Sequence, residues 1–384
     1  MSPLPPIRVM HVITGLGVGG AETMLVNLAV HGRALGLEPR VVSLLPGGEN
    51  AERLRAAGVP VSDLGMSAGR PSVAAAVRLA AEMRRHRPQV VQSWMYHADL
   101  AAWSARTLLP RGGRPKLVWG LRCSDMRVEH YGRQLRWVIA MAARLSGRPD
   151  AVIANSQAGA EVHLALGYSN RRMLVIPNGI DTARFRPDPA VRAVRRRALG
   201  LDDDTVAVAL VARTDAMKDH PNFLAAIAAV PELRGFLVGR GTEALPVPPN
   251  VSALGPRADV AELLPAFDVI GLSSAFGEGF SNALAEGMAA GLVPVATDVG
   301  DARLLVGDTG FVVPPRDPAA LAEALRAAAV AAREGRGAAA RERVVERFSL
   351  PAALAAFRDV YARVAGVAPV AAGQAGMRPA RMSA

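Results

Sequence analysis

The chain of 384 residues has a single cysteine, Cys123. It can form no internal disulfide and no cysteine-based metal site, and a lone thiol fits the cytoplasm. No run of about eighteen uninterrupted apolar residues occurs, so no membrane span is expected. The apolar start IRVMHVITGLGVGG is too short for a signal peptide with proper flanks; it reads as a first strand entering a glycine loop. Aromatics are few, with four Trp and four Tyr, which leaves little for base stacking. Lysine is rarer still. The formal charge of +11 rests on 43 arginines and two lysines, spread along an alanine-rich chain. That spread argues for a composition bias and against nucleic acid as a partner. A basic surface still suits phosphorylated ligands or anionic headgroups. Where arginine is the rule, Lys218 stands out as a compact point charge.

What is present is an ordinary globular mix, 51% hydrophobic and 21% charged, long enough for two domains. Strand-like and helix-like segments alternate. Strands are predicted at 7–13, 40–45, 59–64, 89–94, 116–121 and 151–155, with helices at 20–36, near 49–57, at 71–86 and 97–109. Such alternation means βαβ units and a parallel sheet, so the fold class is α/β. The rhythm breaks at VIPNGIDTARFRPDP, residues 175–189, where Pro177, Asn178 and Gly179 mark a turn. It restarts with strands at 205–213, 235–239, 250–255, 268–273, 292–297 and 310–314. Helices at 317–334 and 351–365 close the chain. This divides it into an N-terminal domain 1–176, a C-terminal domain 177–347, a last helix within 348–365, and a tail 366–384 without periodicity, expected to be disordered.

In open parallel sheets ligands sit at the carboxyl ends of strands. The loop TGLGVGGAE, residues 14–22, matches G-x-G-x-x-G at Gly15, Gly17 and Gly20. The second strand ends in SLLPGG without a ribose-binding acid, so an NAD site is discounted; what remains is an anion approach at a helix start, or a tight turn alone. His97 lies in SWMYHADL where a helix should begin, a position for acid/base work or a structural histidine. Arg122 follows the next strand and could meet a phosphate or an acceptor, or simply a surface carboxylate. Arg213 and Lys218 flank a strand-to-helix turn in VARTDAMKDHPNF, a cationic seat for a diphosphate unless the loop is merely solvated.

The stretch DVIGLSSAFGEGFSNALAEG places Glu278 in a loop after a strand and Glu286 in the following helix, about two turns in. The amides of Gly279, Phe280 and Ser281 lie at that helix start, which attracts anions, yet Glu278 adds negative charge there. A ligand carrying both phosphate and hydroxyl groups satisfies both, and a nucleotide-sugar is such a ligand. No histidine lies near, so a metal site is not expected.

Taken together, GGAE, VIPNGID, VARTDAMKDHPNF and FGEGFSNALAEGMAAGLVPVATDVG resemble retaining family 4 (group 1) glycosyltransferases of GT-B fold, over residues 7–365. SWMYHADL and GLRCSDM look like the subgroup acting in O-antigen and other cell-surface polysaccharide assembly. The resemblance implies two facing Rossmann-like domains with the last helix crossing back to the first. By motif, Glu286 would hold the donor ribose, Glu278 the transferred sugar, and Arg213 and Lys218 the diphosphate. Gly279, Phe280 and Ser281 would offer amides, Arg257 in LGPRADV would flank the base, and Gly19 and Gly20 would face the diphosphate. His97 would lie beside the reacting sugar, with Arg122 on the acceptor side. His97, Glu278, Arg213 and Lys218 are thus the expected catalytic set. No cofactor and no obligatory metal are implied. Arg303 in GDARLLVGDTG departs from the usual pattern and bears on the shape of the sugar pocket. The expected partners are a nucleotide-sugar donor and a saccharide or lipid-linked acceptor. Peripheral contact with the cytoplasmic membrane face stays open, although no clear amphipathic basic helix is legible to support it. The rivals are a nucleotide-sugar epimerase, a non-catalytic nucleotide-sugar-binding module and, last, an NAD oxidoreductase.

Overall fold

The computed structural model describes residues 6–17, 19–67, 73–122, 124, 132–367 and 380–381. Val18 in the first glycine loop and Cys123 lie outside the described residues. The chain forms two compact units, Met1–Pro177 with Pro351–Ala384, and Asn178–Leu350.

The first unit carries β1 (Ile7–Ile13), β2 (Leu37–Ser43), β3 (Val61–Asp63), β4 (Val90–Trp94), β5 (Lys116–Leu121), β6 (Ala151–Ala154) and β7 (Met173–Val175). The second carries β8 (Ala207–Val211), β9 (Arg234–Val238), β10 (Val251–Ala253), β11 (Val269–Leu272), β12 (Val293–Thr297) and β13 (Phe311–Val313). A fourteenth strand, β14 (Ala380–Arg381), belongs to the first sheet. The orders are β14-β7-β6-β5-β4-β1-β2-β3 and β10-β9-β8-β11-β12-β13. All pairings are parallel except β14 on β7. Every residue of β4, β6, β11 and β12 is buried, as expected where helices cover both faces of a parallel sheet.

Helix boundaries follow local chemistry. Asp188 and Asp317 accept from the amides of Val191 and Ala320 at 3.0 and 2.9 Å, each just before a proline at the first helical position. Both units have their own apolar core. The final helix, Leu350–Ala365, packs within the first unit. There Arg358 Nε donates to Leu35 O at 3.0 Å and Tyr361 Oη to Gln92 Oε1 at 3.3 Å.

Several elements differ from the sequence expectation. β7 is additional and ends at Val175, where the turn is expected to begin; three buried residues are too few for a period to register. Helices Arg133–Leu145, Gln157–Ala165, Pro189–Ala198 and Gly337–Phe348 are additional. Within the tail, Ala380–Arg381 pair with Leu174–Val175; backbone hydrogen bonding of this kind needs no side-chain periodicity. The rest of 368–384 lies outside the described residues.

Candidate functional site

Each sheet reverses direction at one place, between β1 and β4 and between β8 and β11. In doubly wound sheets the loops leaving the strands at such a point usually frame the ligand position. Here those loops carry nearly every residue singled out above.

In the second unit, Lys218 ends a short 3-10 turn after β8, and Glu278 lies in the loop after β11. Lys218 Nζ forms a short ion pair with Glu278 Oε1, and the side chains are 16% and 7% exposed. Ser274 Oγ donates to the same oxygen at 2.6 Å. Glu278 Oε2 accepts no hydrogen bond among the described residues, so its lone pairs stay open. The two loops are stitched together: Ala275 N donates to Met217 O at 2.9 Å, and Ser273 Oγ to Lys218 O at 2.7 Å. Thr297 Oγ1 donates to Ser274 O at 2.7 Å, and Asp301 N to Gly279 O at 3.1 Å. Beneath the loop sits Gly300, at φ 62°; a Cβ there would stand 2.9 Å from Gly279 O and nearer still to Glu278 O.

The amides of Gly279, Phe280 and Ser281 donate to no protein acceptor among the described residues, so three backbone donors remain at the start of helix Asn282–Ala289. The Phe280 ring packs on Phe348 at 5.4 Å, so only its backbone faces the helix start. Glu286 is the fifth residue of that helix, nearer one turn in than two. Burial pushes its carboxyl up to about 7, against the pull of Arg184.

Arg213 donates to Asp215 at 2.9 Å, with its side chain 54% exposed. Asp215 caps the 3-10 turn by accepting from Met217 N at 3.0 Å, and that bond leads in holding its carboxyl below the usual range. Arg257 makes a two-pronged contact with Asp259, at 2.8 and 2.6 Å, and Asp259 also pairs with Arg195 at 2.9 Å. It lies beyond the edge strand β10 and makes no contact with the Lys218–Glu278 pair. Arg303 forms an exposed pair with Asp298 at 2.5 Å.

In the first unit a methyl group at Gly17 or Gly20 would meet nothing within 4 Å, so the loop after β1 is open to close approach. At Gly19 the Glu22 carboxylate lies against the helix start, where the field favours an anion. After β4 the backbone turns sharply at Met95, φ 71°, and His97 follows as the second residue of helix Tyr96–Thr107. A non-glycine residue in this region is strained and persists only when its surroundings hold it. His97 is exposed by area, yet the protein around its ring lowers its pKa by desolvation.

The restraint on Met95 is buried. Asp99, fully buried, accepts from Ser93 Oγ at 2.5 Å, and its amide donates to Met95 O at 2.9 Å. Tyr96 Oη is 2.8 Å from His163 Nε2. Burial raises the Asp99 carboxyl well above its usual range, so the neutral acid is the favoured form. Its stabilising effect is present at low pH and fades as pH rises through the raised pKa. Asp99→Asn, neutral and similar in shape, should therefore melt close to wild type at about pH 4, near the unperturbed carboxyl pKa, and increasingly above it as pH rises to neutrality and beyond. Asp99→Leu, which leaves Ser93 Oγ only its longer bond to Val118 O at 3.3 Å, should cost roughly 1–3 kcal/mol. Thermal melts across pH check both.

Arg122 is drawn inward. Its guanidinium lies 4.7 Å from the Trp94 ring centre and 5.3 Å from that of Phe357, and burial lowers its pKa to about 10. It joins the end of β5 to the last helix through a cation–π sandwich. Sequence reasoning missed Ser274, Ser93 and Asp99. A polar side chain within a residue or two of a strand's carboxyl end was the available signal for the two serines.

Comparison with known proteins agrees with this geometry. The model described as "Glycosyltransferase Family 4" matches residues 18–184, and that described as "Glycosyl transferases group 1" matches residues 205–329. A D-inositol 3-phosphate glycosyltransferase of Streptomyces avermitilis is 31% identical over 243 residues, 55% of this chain and 51% of that protein. An exopolysaccharide phosphotransferase of Streptomyces coelicolor is 33% identical over 42% of this chain and 17% of its own length. The chain thus spans about half the length, or less, of these curated relatives. Among solved structures, Anabaena HepE in complex with UDP superposes with a TM-score of 0.77 at 22% identity, covering 91% of this chain and 97% of that one. A glycosyltransferase from Rickettsia africae gives 0.78 at 17% identity, covering 94% and 98%. With two such models covering most of its length and the GT-B architecture in both sheets, the chain belongs to the family 4, group 1 glycosyltransferases.

Proposed function

We propose that this protein transfers a hexose-type sugar from a nucleoside-diphosphate donor to a saccharide or lipid-linked acceptor, with retention of anomeric configuration, in cell-surface polysaccharide assembly. The observation that carries the reading is the buried Lys218–Glu278 pair beside three undonated amides at the second switch point. One place there offers positive charge for a diphosphate and a carboxylate oxygen for hydroxyls. HepE is described in complex with UDP-glucose, which supports a nucleotide-sugar in this role.

In this reading the bond from the sugar's anomeric carbon to the diphosphate oxygen breaks, and a bond to the acceptor hydroxyl forms on the same face. The hydroxyl proton leaves with the diphosphate. Lys218, Arg213 and the Gly279–Ser281 amides stabilise the charge that develops on the leaving group, so no metal is required for that task. Glu278 orients the sugar, Glu286 the ribose, and His97 the reacting hydroxyls. Gly19 and Gly20 approach the diphosphate, and Arg257 serves the base side. Arg122 acts on the acceptor side indirectly, through the packing of Trp94. The acceptor would be met at a membrane surface.

The test is a thermal-shift screen of UDP-, GDP-, ADP- and dTDP-sugars at pH 6 and pH 8. One nucleotide-sugar should stabilise the wild type selectively. Because the Glu286 carboxyl titrates near 7, its charged form falls roughly tenfold from pH 8 to pH 6, and donor affinity should fall with it. In the free protein the sign is opposite: a raised pKa means the neutral acid is preferred, and stability is lost as pH rises through 7. Glu286→Gln should bind weakly at both pH values. Equal shifts from all donors, unaltered in Glu286→Gln, would sink the assignment. Donor turnover without release of nucleoside diphosphate would favour an epimerase instead.

A further inference from the structure

The first unit packs three helices side by side on one face of its sheet, Val73–His86, Tyr96–Thr107 and Arg133–Leu145. This layer and the turn after it collect every exposed large hydrophobic residue described in the unit: Val73, Val77, Leu108 and Trp137. The helix Arg133–Leu145 is the most sharply two-sided of the three. It buries Val138, Ile139, Ala142 and Ala143 against the core. Its outer stripe runs through Arg133, Arg136, Trp137, Ala140 and Arg144, and Arg148 follows just beyond its end, all exposed. The steps of three and four residues put them on one side. Trp137 is 60% exposed, whereas Trp94 and Trp119 are fully buried. No acidic residue occurs between 132 and 148, and among the described residues none of these four guanidiniums pairs with a carboxylate.

The exposed indole is ringed by arginines that pair with no carboxylate among the described residues, so apolar area and positive charge share one face. The indole prefers the zone between lipid headgroups and acyl chains, and arginines beside it meet phosphates. We propose that this face, centred on Trp137 with Arg133, Arg136, Arg144 and Arg148, docks on an anionic bilayer. The charge is complementary, and the aromatic anchor and the basic ring lie on one rigid helix. Because helix Arg133–Leu145 runs back from the carboxyl end of β5, its first turn stands at the ligand-bearing edge of the first sheet. The inference deepens the proposed transfer by giving a surface that would meet a lipid-linked acceptor. It is testable without donor or acceptor, so the two readings can fail separately.

The experiment is co-sedimentation of the full chain with phosphatidylcholine vesicles, plain or carrying about a third phosphatidylglycerol. Binding to the anionic vesicles should exceed binding to the plain ones by roughly tenfold or more and weaken with added salt. Tryptophan emission should shift to the blue on binding, because Trp137 moves into the interface. Trp137→Ala should lose that shift and lower the partition severalfold. Arg136→Glu with Arg144→Glu should remove anionic selectivity. All these sites are exposed, so the variants should keep the wild-type melting temperature and the donor-induced shift. Equal binding to both vesicles, no binding, or wild-type binding by the variants overturns the proposal. So does either rival occupant: an RNA oligomer bound more tightly than vesicles through the same arginines, or a dimer that Trp137→Ala dissociates in sedimentation velocity.

Discussion

Lys218→Met should reduce sugar transfer by roughly two to three orders of magnitude. The ammonium is the buried cation at the second switch point, and methionine, one atom shorter, keeps an unbranched apolar stem while removing the charge. It should also destabilise the protein. Removing one member of a buried pair leaves the other charged without compensation, a loss of roughly 3–5 kcal/mol in comparable cases. Ser274 still donates to Glu278 Oε1 at 2.6 Å, which places this pair at the lower end of that range. The two effects separate in the double variant. Lys218→Met with Glu278→Gln removes both charges, so stability should return most of the way while transfer stays lost. Denaturant unfolding alongside nucleoside-diphosphate release measures both quantities. If the double variant transfers sugar at the wild-type rate, the pair is structural only, and the donor site must lie elsewhere.

Gly300→Ala should be nearly as damaging, although residue 300 offers no side chain to a ligand. Two penalties act at once. The backbone is at φ 62°, where a Cβ is disfavoured, and the added methyl would press on Glu278 O and Gly279 O. Neither oxygen belongs to a flexible side-chain tip; both are backbone of the loop that carries Glu278. The cheapest relief is a shift of that loop, which would separate Glu278 from Lys218 and turn the Gly279–Ser281 amides. Expected results are a loss of roughly 2–4 kcal/mol in stability and at least a tenfold loss in donor affinity. Gly17→Ala is the control, since its methyl group would meet nothing within 4 Å and its φ is not positive. It should melt like wild type. A Gly300→Ala protein with full donor affinity would show that the loop tolerates displacement and that its position is not what aligns the site.

Much of this was legible in the sequence. Largely apolar runs such as KLVWGL and IRVMHVI coincide with β5 and β1 to the residue, because a strand covered on both faces buries nearly every side chain, only Lys116 and Arg8 being exposed. Glycines, prolines and capping residues mark where such runs stop. Chemistry-bearing residues at strand ends could therefore be placed in loops before any coordinates. The two short strands at one end of the first sheet were not legible: β7 is three residues long and β14 two, too short for a period to register. The helix Arg133–Leu145 also escaped notice. Its basic side becomes visible only once the buried side is known.

The sequence alone determined the local facts: an alternating α/β chain, two successive sheets, and loops bearing Lys218, Glu278, His97 and the glycines. Only the tertiary structure decided which of these meet. Lys218 and Glu278 are 60 residues apart and touch because β8 and β11 are neighbours in the sheet. Arg122 stacks on Trp94 and Phe357 because the last helix returns to the first unit. Arg257 stands away from the Lys218–Glu278 pair because β10 is an edge strand, two places removed from β8. The physical reason is range. Propensity and periodicity act over a few residues, whereas partnership depends on strand order, which the whole chain settles when its apolar faces are buried together.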